Sequence, residues 1–159
     1  MANYQKNIRL LKESIYSILS SDSTLESYLT GSGKIYHRQP PQEPTYPCLI
    51  YSIVSDFDSP YNETISNGEI TKTNFRISIF SNESTTEQID NIEAQVKTLL
   101  HGQRTLDSTK IICYSCYRDS MIEPIMDEKL KVWVSQSRYI VTWATRAIPD
   151  EDEDTEPTM

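Results

Sequence analysis

The sequence is poor in the residues from which enzyme active sites are most often built. Its 159 residues include only two histidines, His37 and His101, and four glycines. It contains no P-loop, dinucleotide-binding fingerprint, nucleophile elbow or H-E-x-x-H motif. His101 stands at the predicted end of a helix, where the helix dipole alone favours histidine. We therefore expect a protein that is not an enzyme and holds no metal or cofactor.

Cysteine is also scarce, and its pattern does not favour a metal or redox site. Three cysteines are an odd number in a chain without an export signal, which favours free thiols. Cys113 and Cys116 form a C-x-x-C pair, but a zinc ribbon would need a second pair. The pair lies in β-forming sequence, where an offset of three directs side chains to opposite faces. We predict buried structural thiols.

Long apolar runs are missing as well. No run approaches the roughly 18 residues needed to cross a bilayer. The first residues, MANYQKNIRLLKES, have no apolar stretch of signal-peptide length. We expect no membrane association and a location in the cytoplasm where the chain is made.

Charge is distributed unevenly along the chain. The formal net charge is −8, and six of the 23 acidic residues lie between Asp150 and Glu156. We predict one folded domain over residues 1–148 and a disordered acidic tail over residues 149–159. The tail is either a solubilising end or a contact for a basic partner. The body, with 17 acidic and 15 basic residues, is too nearly neutral for tight binding to nucleic acid phosphates.

Hydrophobic periodicity predicts two main helices and four strands. A capping box from Ser84 to Glu87 precedes the second helix. Four prolines between residues 40 and 47 indicate a loop or an edge. The predicted helices are residues 4–20, with a short extension at 25–29, and 89–100; the predicted strands are 48–54, 70–80, 110–118 and 132–148, and residues 34–36 form a short extended piece.

These elements predict an α+β fold. The order of helices and strands suggests a four-stranded, mainly antiparallel sheet with two helices packed on one face. The other face of such a sheet is left for solvent or for a partner.

Two long polar segments, residues 56–69 and 119–131, are predicted to be loops, and loops of about a dozen residues usually have a function. Aromatic residues in the first loop are typical of protein interfaces. For Trp143, in the last strand, we expect a place in the core. The candidate interface residues are Phe57, Asp58, Tyr61, Glu63, Met121, Asp127, Glu128 and Lys129.

Over about residues 6–148 the sequence resembles the tail completion, or tail terminator, proteins of tailed bacteriophages. The resemblance is carried by the amphipathic opening helix and by four segments: Gly31-Ser-Gly-Lys-Ile-Tyr36, Tyr46-Pro-Cys-Leu-Ile50, Phe75-Arg-Ile-Ser-Ile-Phe80 and Arg138-Tyr-Ile-Val-Thr-Trp143. The acidic C-terminal tail departs from the family pattern.

The resemblance implies a structural virion protein that assembles as a homo-oligomeric ring, a hexamer as in known relatives. Such a ring caps the tail tube protein and joins it to the head connector or stopper protein, with DNA passing through the lumen without specific binding. Another neck ring, such as a head completion or stopper protein, is an alternative. A cellular binding module that uses the open sheet face is a second alternative, from a different class.

Overall fold

The computed structural model describes residues 8–58 and 70–146, and of residues 55–58 only the backbone. Within these ranges the chain forms three helices and five strands. The helices are α1 (Ile8–Ser20), α2 (Ser23–Tyr28) and α3 (Glu87–Leu100); the strands are β1 (Ile35–His37), β2 (Cys48–Asp58), β3 (Thr71–Ser81), β4 (Ile111–Asp127) and β5 (Val132–Thr145). The acidic tail and the N-terminal part of the first predicted helix lie outside the described residues.

All five strands belong to one sheet in the order β1-β2-β3-β5-β4. The prediction of an α+β fold with a single sheet is confirmed. The prediction of four antiparallel strands was incomplete, because the sheet has five strands. The extended piece predicted at residues 34–36 is a fifth strand, β1, which pairs in parallel with β2. The N–H of Leu49 donates to the Lys34 carbonyl at 2.9 Å and fixes this pairing. The sheet is therefore mixed, with β1 and β4 at its two edges.

One face of the sheet carries the core. Leu11, Ile15 and Leu19 of α1 recur at helical spacing and are fully buried, as are Ile89 and Val96 of α3. They pack on alternate residues of the central strands, among them Phe75, Ile77, Tyr139, Val141 and Trp143. Burying each large apolar side chain contributes about 1.5–3 kcal/mol. The core location expected for Trp143 is confirmed, and its Nε1 donates to Thr73 Oγ1 at 2.9 Å.

The predicted capping box before α3 is wrong. The helix begins at Glu87, its N-cap residue is Thr86, and no side chain caps it. Instead, the Ser81 hydroxyl donates to Gln88 Oε1 at 2.7 Å. Side-chain capping occurs at α2, where Asp22 accepts the N–H of Leu25 at 2.8 Å. The capping pattern is short, and residues of this kind also occur next to helix ends without forming a cap.

The predicted loop at residues 119–131 is also wrong. Strand β4 continues to Asp127, and only residues 128–131 form a turn before β5. The polar residues and Pro124 suggested a loop, but bulges accommodate them in the strand. The backbone of β2 likewise extends to Asp58, beyond the predicted strand end at Val54. The rest of the predicted first loop, residues 59–69, lies outside the described residues.

Candidate assembly interface

The most exposed apolar part of the described structure is a hairpin arm, residues 117–134. It comprises the second half of β4, the turn and the start of β5. The arm begins where β4 stops exchanging backbone hydrogen bonds with any segment other than β5. At its root, Cys116 and Gly102 exchange two backbone hydrogen bonds of 2.7 and 2.9 Å. Beyond this bridge, β4 pairs only with β5 and forms an edge of the sheet.

Register shifts divide β4 into short segments. They occur between Cys113 and Ser115, between Arg118 and Ser120, and between Ile122 and Ile125. Proline lacks an N–H donor and is tolerated in strands mainly at edges and bulges, which explains Pro124 in the third shift. Bulges twist an edge and protect it from open-ended pairing with other chains. The arm is thus built to resist unspecific β-aggregation.

The first register shift changes the orientation of the cysteines. Cys113 and Cys116 were expected on opposite faces of a strand, but both are buried in the core. The extra residue, Tyr114, is exposed and turns the following side chains over. Burial raises the pKa of Cys116, and it raises the pKa of Cys48 to about 11. All three cysteines are free and buried, so the prediction of buried thiols is confirmed.

The turn of the arm is closed by Asp127. Its Oδ1 accepts the N–H of Lys129 at 3.0 Å and that of Leu130 at 3.1 Å. The N–H of Lys131 donates to the Asp127 carbonyl at 2.8 Å. An aspartate that accepts backbone N–H groups two and three residues later is a common turn device. The position and shape of the tip are therefore fixed locally.

Apolar side chains are exposed along the β4 part of the arm and at its turn. Ile125 is 61% exposed, Leu130 56% and Ile122 52%. Tyr117, Met121 and Met126 are also exposed. In the register with β5, Ile122 and Ile125 lie on the open face and Met121 and Met126 on the helix face. So many exposed large apolar side chains on one short hairpin are typical of an interaction site.

The arm is tied to the helical layer by one buried ion pair. Arg118 donates to Glu93 Oε1 of α3 at 3.0 Å, and the Ser137 hydroxyl donates to the same oxygen. The Glu93 side chain is 6% exposed and that of Arg118 23%. Removing one partner of such a pair would leave a charge in a poorly solvated place. The pair therefore fixes the start of the arm on α3.

The predicted interface residues fall into three groups: those on β4, those at the tip of the arm, and those on or after β2. Met121 is exposed on β4, whereas the Asp127 carboxylate is used in the turn. Glu128 and Lys129 are exposed at the tip. Phe57 and Asp58 belong to β2, where only their backbone is described, and Tyr61 and Glu63 lie outside the described residues. Their role at an interface remains a prediction.

Sequence reasoning missed the most exposed apolar residues of the arm. Ile122, Ile125, Met126 and Leu130 lie in the sequence MIEPIMDEKL, which was interpreted as a loop because of Pro124 and its charges. Five large apolar residues in ten were the available signal. Their exposure could not be inferred, because it depends on how far the helices extend over the sheet.

The opposite edge of the sheet forms a second candidate surface, the β1 corner, made by α1, the end of α2 and β1. Here a depression of about 140 Å³ lies among residues that include Tyr16, Leu19, Leu29 and Ile35. Tyr16 is 45% exposed. An engineered cavity of roughly 150 Å³ accommodates benzene, so the depression is of a size to receive one apolar side chain.

The β1 corner is also basic. Lys34 lines the depression, and Lys12 and Arg38 lie close enough to His37 to affect it. Burial, followed by these two positive charges, lowers the pKa of His37 below its usual value of 6.5. The corner therefore offers positive charge beside a depression with both apolar and polar walls.

The open face of the sheet has a different character. Arg76 of β3 and Arg138 of β5 are directly opposite in the register, and both are exposed. Lys72 is exposed on the same face, opposite Thr142. Like charges placed opposite each other destabilise a sheet. The open face is therefore locally cationic although the whole chain is acidic.

Among residues 8–58 and 70–146, no group of three or more His, Cys, Asp or Glu side chains could hold a metal ion. Within the same ranges, no helix has the length and apolar character required to cross a membrane.

Comparison with solved structures identifies the fold. A chain from the virion of a native gene transfer agent particle superposes with a TM-score of 0.60 at 15% sequence identity, covering 86% of this chain and 95% of its own length. A second solved chain superposes with a TM-score of 0.55 at 8% identity, covering 92% of this chain and 100% of its own length. At these identities the likeness concerns the fold alone. No curated protein sequence matches significantly.

The sequence itself matches the model of a protein family, described as tail completion protein gp17, over residues 13–116. The match spans more than half of the chain, from the middle of α1 to the root of the arm, and ends before β5. It confirms the resemblance found in the sequence. The chain belongs to the family of phage tail completion proteins and is a structural virion protein.

Proposed function

We propose that the protein forms a closed homo-oligomeric ring, a hexamer, which caps the tail tube and joins it to the head connector. The ring works as a tail terminator: it stops further addition of the tail tube protein and offers its other side to the connector or stopper protein. Subunits assemble in the host cytoplasm and remain in the neck of the virion. The protein carries out no catalysis.

The observation that supports this proposal is the exposed apolar arm at one edge of the sheet. Ile122, Ile125 and Leu130 are each more than half exposed. A monomer gains nothing from this exposure, whereas an interface between subunits would remove these side chains from water. Burial releases roughly 25 cal/mol for each Å² of apolar surface. A contact between two different surfaces of identical subunits closes into a ring if the rotation between them is right.

The predicted interface residues complete this picture. Met121, Glu128 and Lys129 belong to the arm, and we assign them to subunit contacts. We also assign Phe57 and Tyr61 to subunit contacts. The acidic tail, residues 149–159, serves as a solubilising end.

DNA passes through the lumen of the proposed ring without specific binding. The body of the chain, with 17 acidic and 15 basic residues, is too nearly neutral to hold the DNA phosphates tightly. We therefore assign no specific DNA contact to the lumen.

A different ring of the neck, such as a head completion or stopper protein, is the second candidate. The same apolar arm would serve it equally, and only the neighbours would differ. The family membership favours the tail side of the neck. Family membership also disfavours a cellular binding module. In addition, such a module would have no use for an exposed hairpin arm.

The decisive experiment combines mass and function. Purified protein is studied by native mass spectrometry and negative-stain electron microscopy, and rings of six subunits are expected. Tail tube protein that polymerises in vitro is then mixed with the rings, and the tube length is measured. We expect the rings to bind at tube ends and to stop elongation. A protein that stays monomeric at all concentrations, or rings that bind no tube end, would contradict the proposal.

A further inference from the structure

We propose that the arm of one subunit docks on the β1 corner of a second copy of this chain. This inference rests on the proposed ring and assigns the two surfaces that meet in it. The arm supplies apolar side chains and negative charge. The corner supplies a depression with partly apolar walls and positive charge.

The topology of the sheet excludes the same contact within one chain. The arm belongs to β4 and the corner to β1, which are the two edges of a five-stranded sheet. Four strand spacings of about 4.8 Å separate these edges. A surface at one edge can therefore meet its counterpart at the other edge only in a neighbouring copy. Such a head-to-tail contact is the kind that generates rings.

The charges of the two surfaces are complementary. The arm includes four acidic and three basic side chains, and one of the basic side chains, Arg118, is paired with Glu93 of α3. One of the acidic side chains, Asp127, is used in the turn, and Glu123 is exposed on the strand. The corner carries Lys12, Lys34 and Arg38 with Glu26 as its acidic neighbour. Opposite charges on two surfaces steer their encounter and fix their register.

The apolar side chains of the arm are also compatible with the apolar wall of the depression. The depression of about 140 Å³ is bordered by Leu19, Leu29 and Ile35. Ile122, Ile125 and Leu130 are the largest exposed aliphatic side chains of the arm. We expect one of these three side chains to enter the depression. The half-exposed Tyr16 would then pack over the arm side chains beside it.

Cross-linking between two variants tests the contact directly. Ile125→Cys protein is mixed with Ser32→Cys protein and treated with a short bismaleimide. Ser32 is exposed and lines the depression. The native cysteines are buried, so the wild-type protein provides the blank. The matched control replaces Ser32→Cys with Thr98→Cys, an exposed position on α3. We expect a cross-linked dimer in the first mixture at least fivefold above the control.

Charge reversal gives an independent readout. Glu123→Lys and Lys34→Glu should each weaken association roughly threefold to tenfold at low salt, and the double variant should recover most of it. Val54→Ser serves as a control for Ile125→Ser, because Val54 is 44% exposed on β2, outside both surfaces. Ile125→Ser should weaken association and Val54→Ser should not. Association is measured by analytical ultracentrifugation.

The outcomes separate this inference from the proposed function. The docking inference is overturned if rings form without the cross-link between positions 125 and 32, or if position 98 cross-links equally well. Either result leaves the proposed ring itself uncontradicted. The cross-link in a protein that forms no rings supports the contact and contradicts the ring. If neither the rings nor the cross-link are observed, both proposals are refuted.

Discussion

Arg118 of β4 and Glu93 of α3 form a 3.0 Å ion pair at the point where the arm leaves the body of the protein. Glu93 is almost completely buried, and the Ser137 hydroxyl donates to the oxygen that accepts from Arg118. The pair connects the helical layer, where the core lies, to the edge strand, where the interface is proposed.

Loss of Arg118 should destabilise the fold through the charge that it leaves behind. We expect Arg118→Met to lower the free energy of unfolding by about 2–3 kcal/mol, because the buried Glu93 carboxylate loses its cation. The double variant Arg118→Met/Glu93→Gln should recover part of this loss, since glutamine is neutral and still accepts from Ser137. Urea unfolding of the four proteins measures the coupling. Strictly additive losses would show that the two side chains act independently.

Removal of one member of the cross-strand arginine pair should stabilise the sheet. Arg76→Thr relieves the repulsion from Arg138 and should raise the free energy of unfolding by roughly 0.2–1 kcal/mol. The gain should shrink at high salt, which screens exposed charges. Lys72→Thr is the control, because Lys72 lies opposite the uncharged Thr142. Equal gains for both variants, or a gain independent of salt, would contradict the pairwise repulsion.

The three thiols should react only when the protein opens. Burial raises the pKa of Cys48 to about 11 and raises those of Cys113 and Cys116, so little thiolate is present at neutral pH. We expect almost no reaction with a disulfide reagent in the native state and three equivalents in guanidinium chloride. Rapid labelling of Cys113 or Cys116 in the folded protein would contradict the bulge that turns both into the core.

Stability should depend on the protonation of His37. Burial and the charges of Lys12 and Arg38 lower its pKa in the folded protein below 6.5. The unfolded chain therefore binds more protons in the window between the folded pKa and 6.5, and stability falls as the pH drops through that window. His37→Gln should reduce this dependence. Urea unfolding between pH 5 and 7.5 compares the two proteins, and identical slopes would exclude His37 as the cause.

The fold was predictable from the sequence to the extent that local periodicity defines it. Helix α1 shows its apolar stripe through Leu11 and Ile15, and β3 shows strict alternation through Phe75 and Ile77, so both were predicted within a few residues. Strand β1 was seen as an extended piece, but its pairing with β2 was not. Three residues carry too little local signal to specify a partner strand.

The candidate interface was predictable only in part. Met121, Glu128 and Lys129 were identified as contact residues because they follow a strand in a long polar segment. That segment proved to be the second half of β4, and its bulges place Ile122 and Ile125 on the open face. Bulges cannot be inferred from alternation, because each one reverses the faces of all residues that follow it.

By itself, the sequence determined the apolar faces of the helices and strands, the absence of the commonest catalytic motifs and the resemblance to tail completion proteins. Only the tertiary structure decided which apolar residues stay in contact with water. Helices α1 and α3 cover the body of the sheet and leave most side chains between residues 119 and 131 exposed, so isoleucines there differ from core isoleucines in their surroundings and not in their local sequence. Exposure depends on what packs above a residue, and that is decided by contacts between segments far apart in the chain.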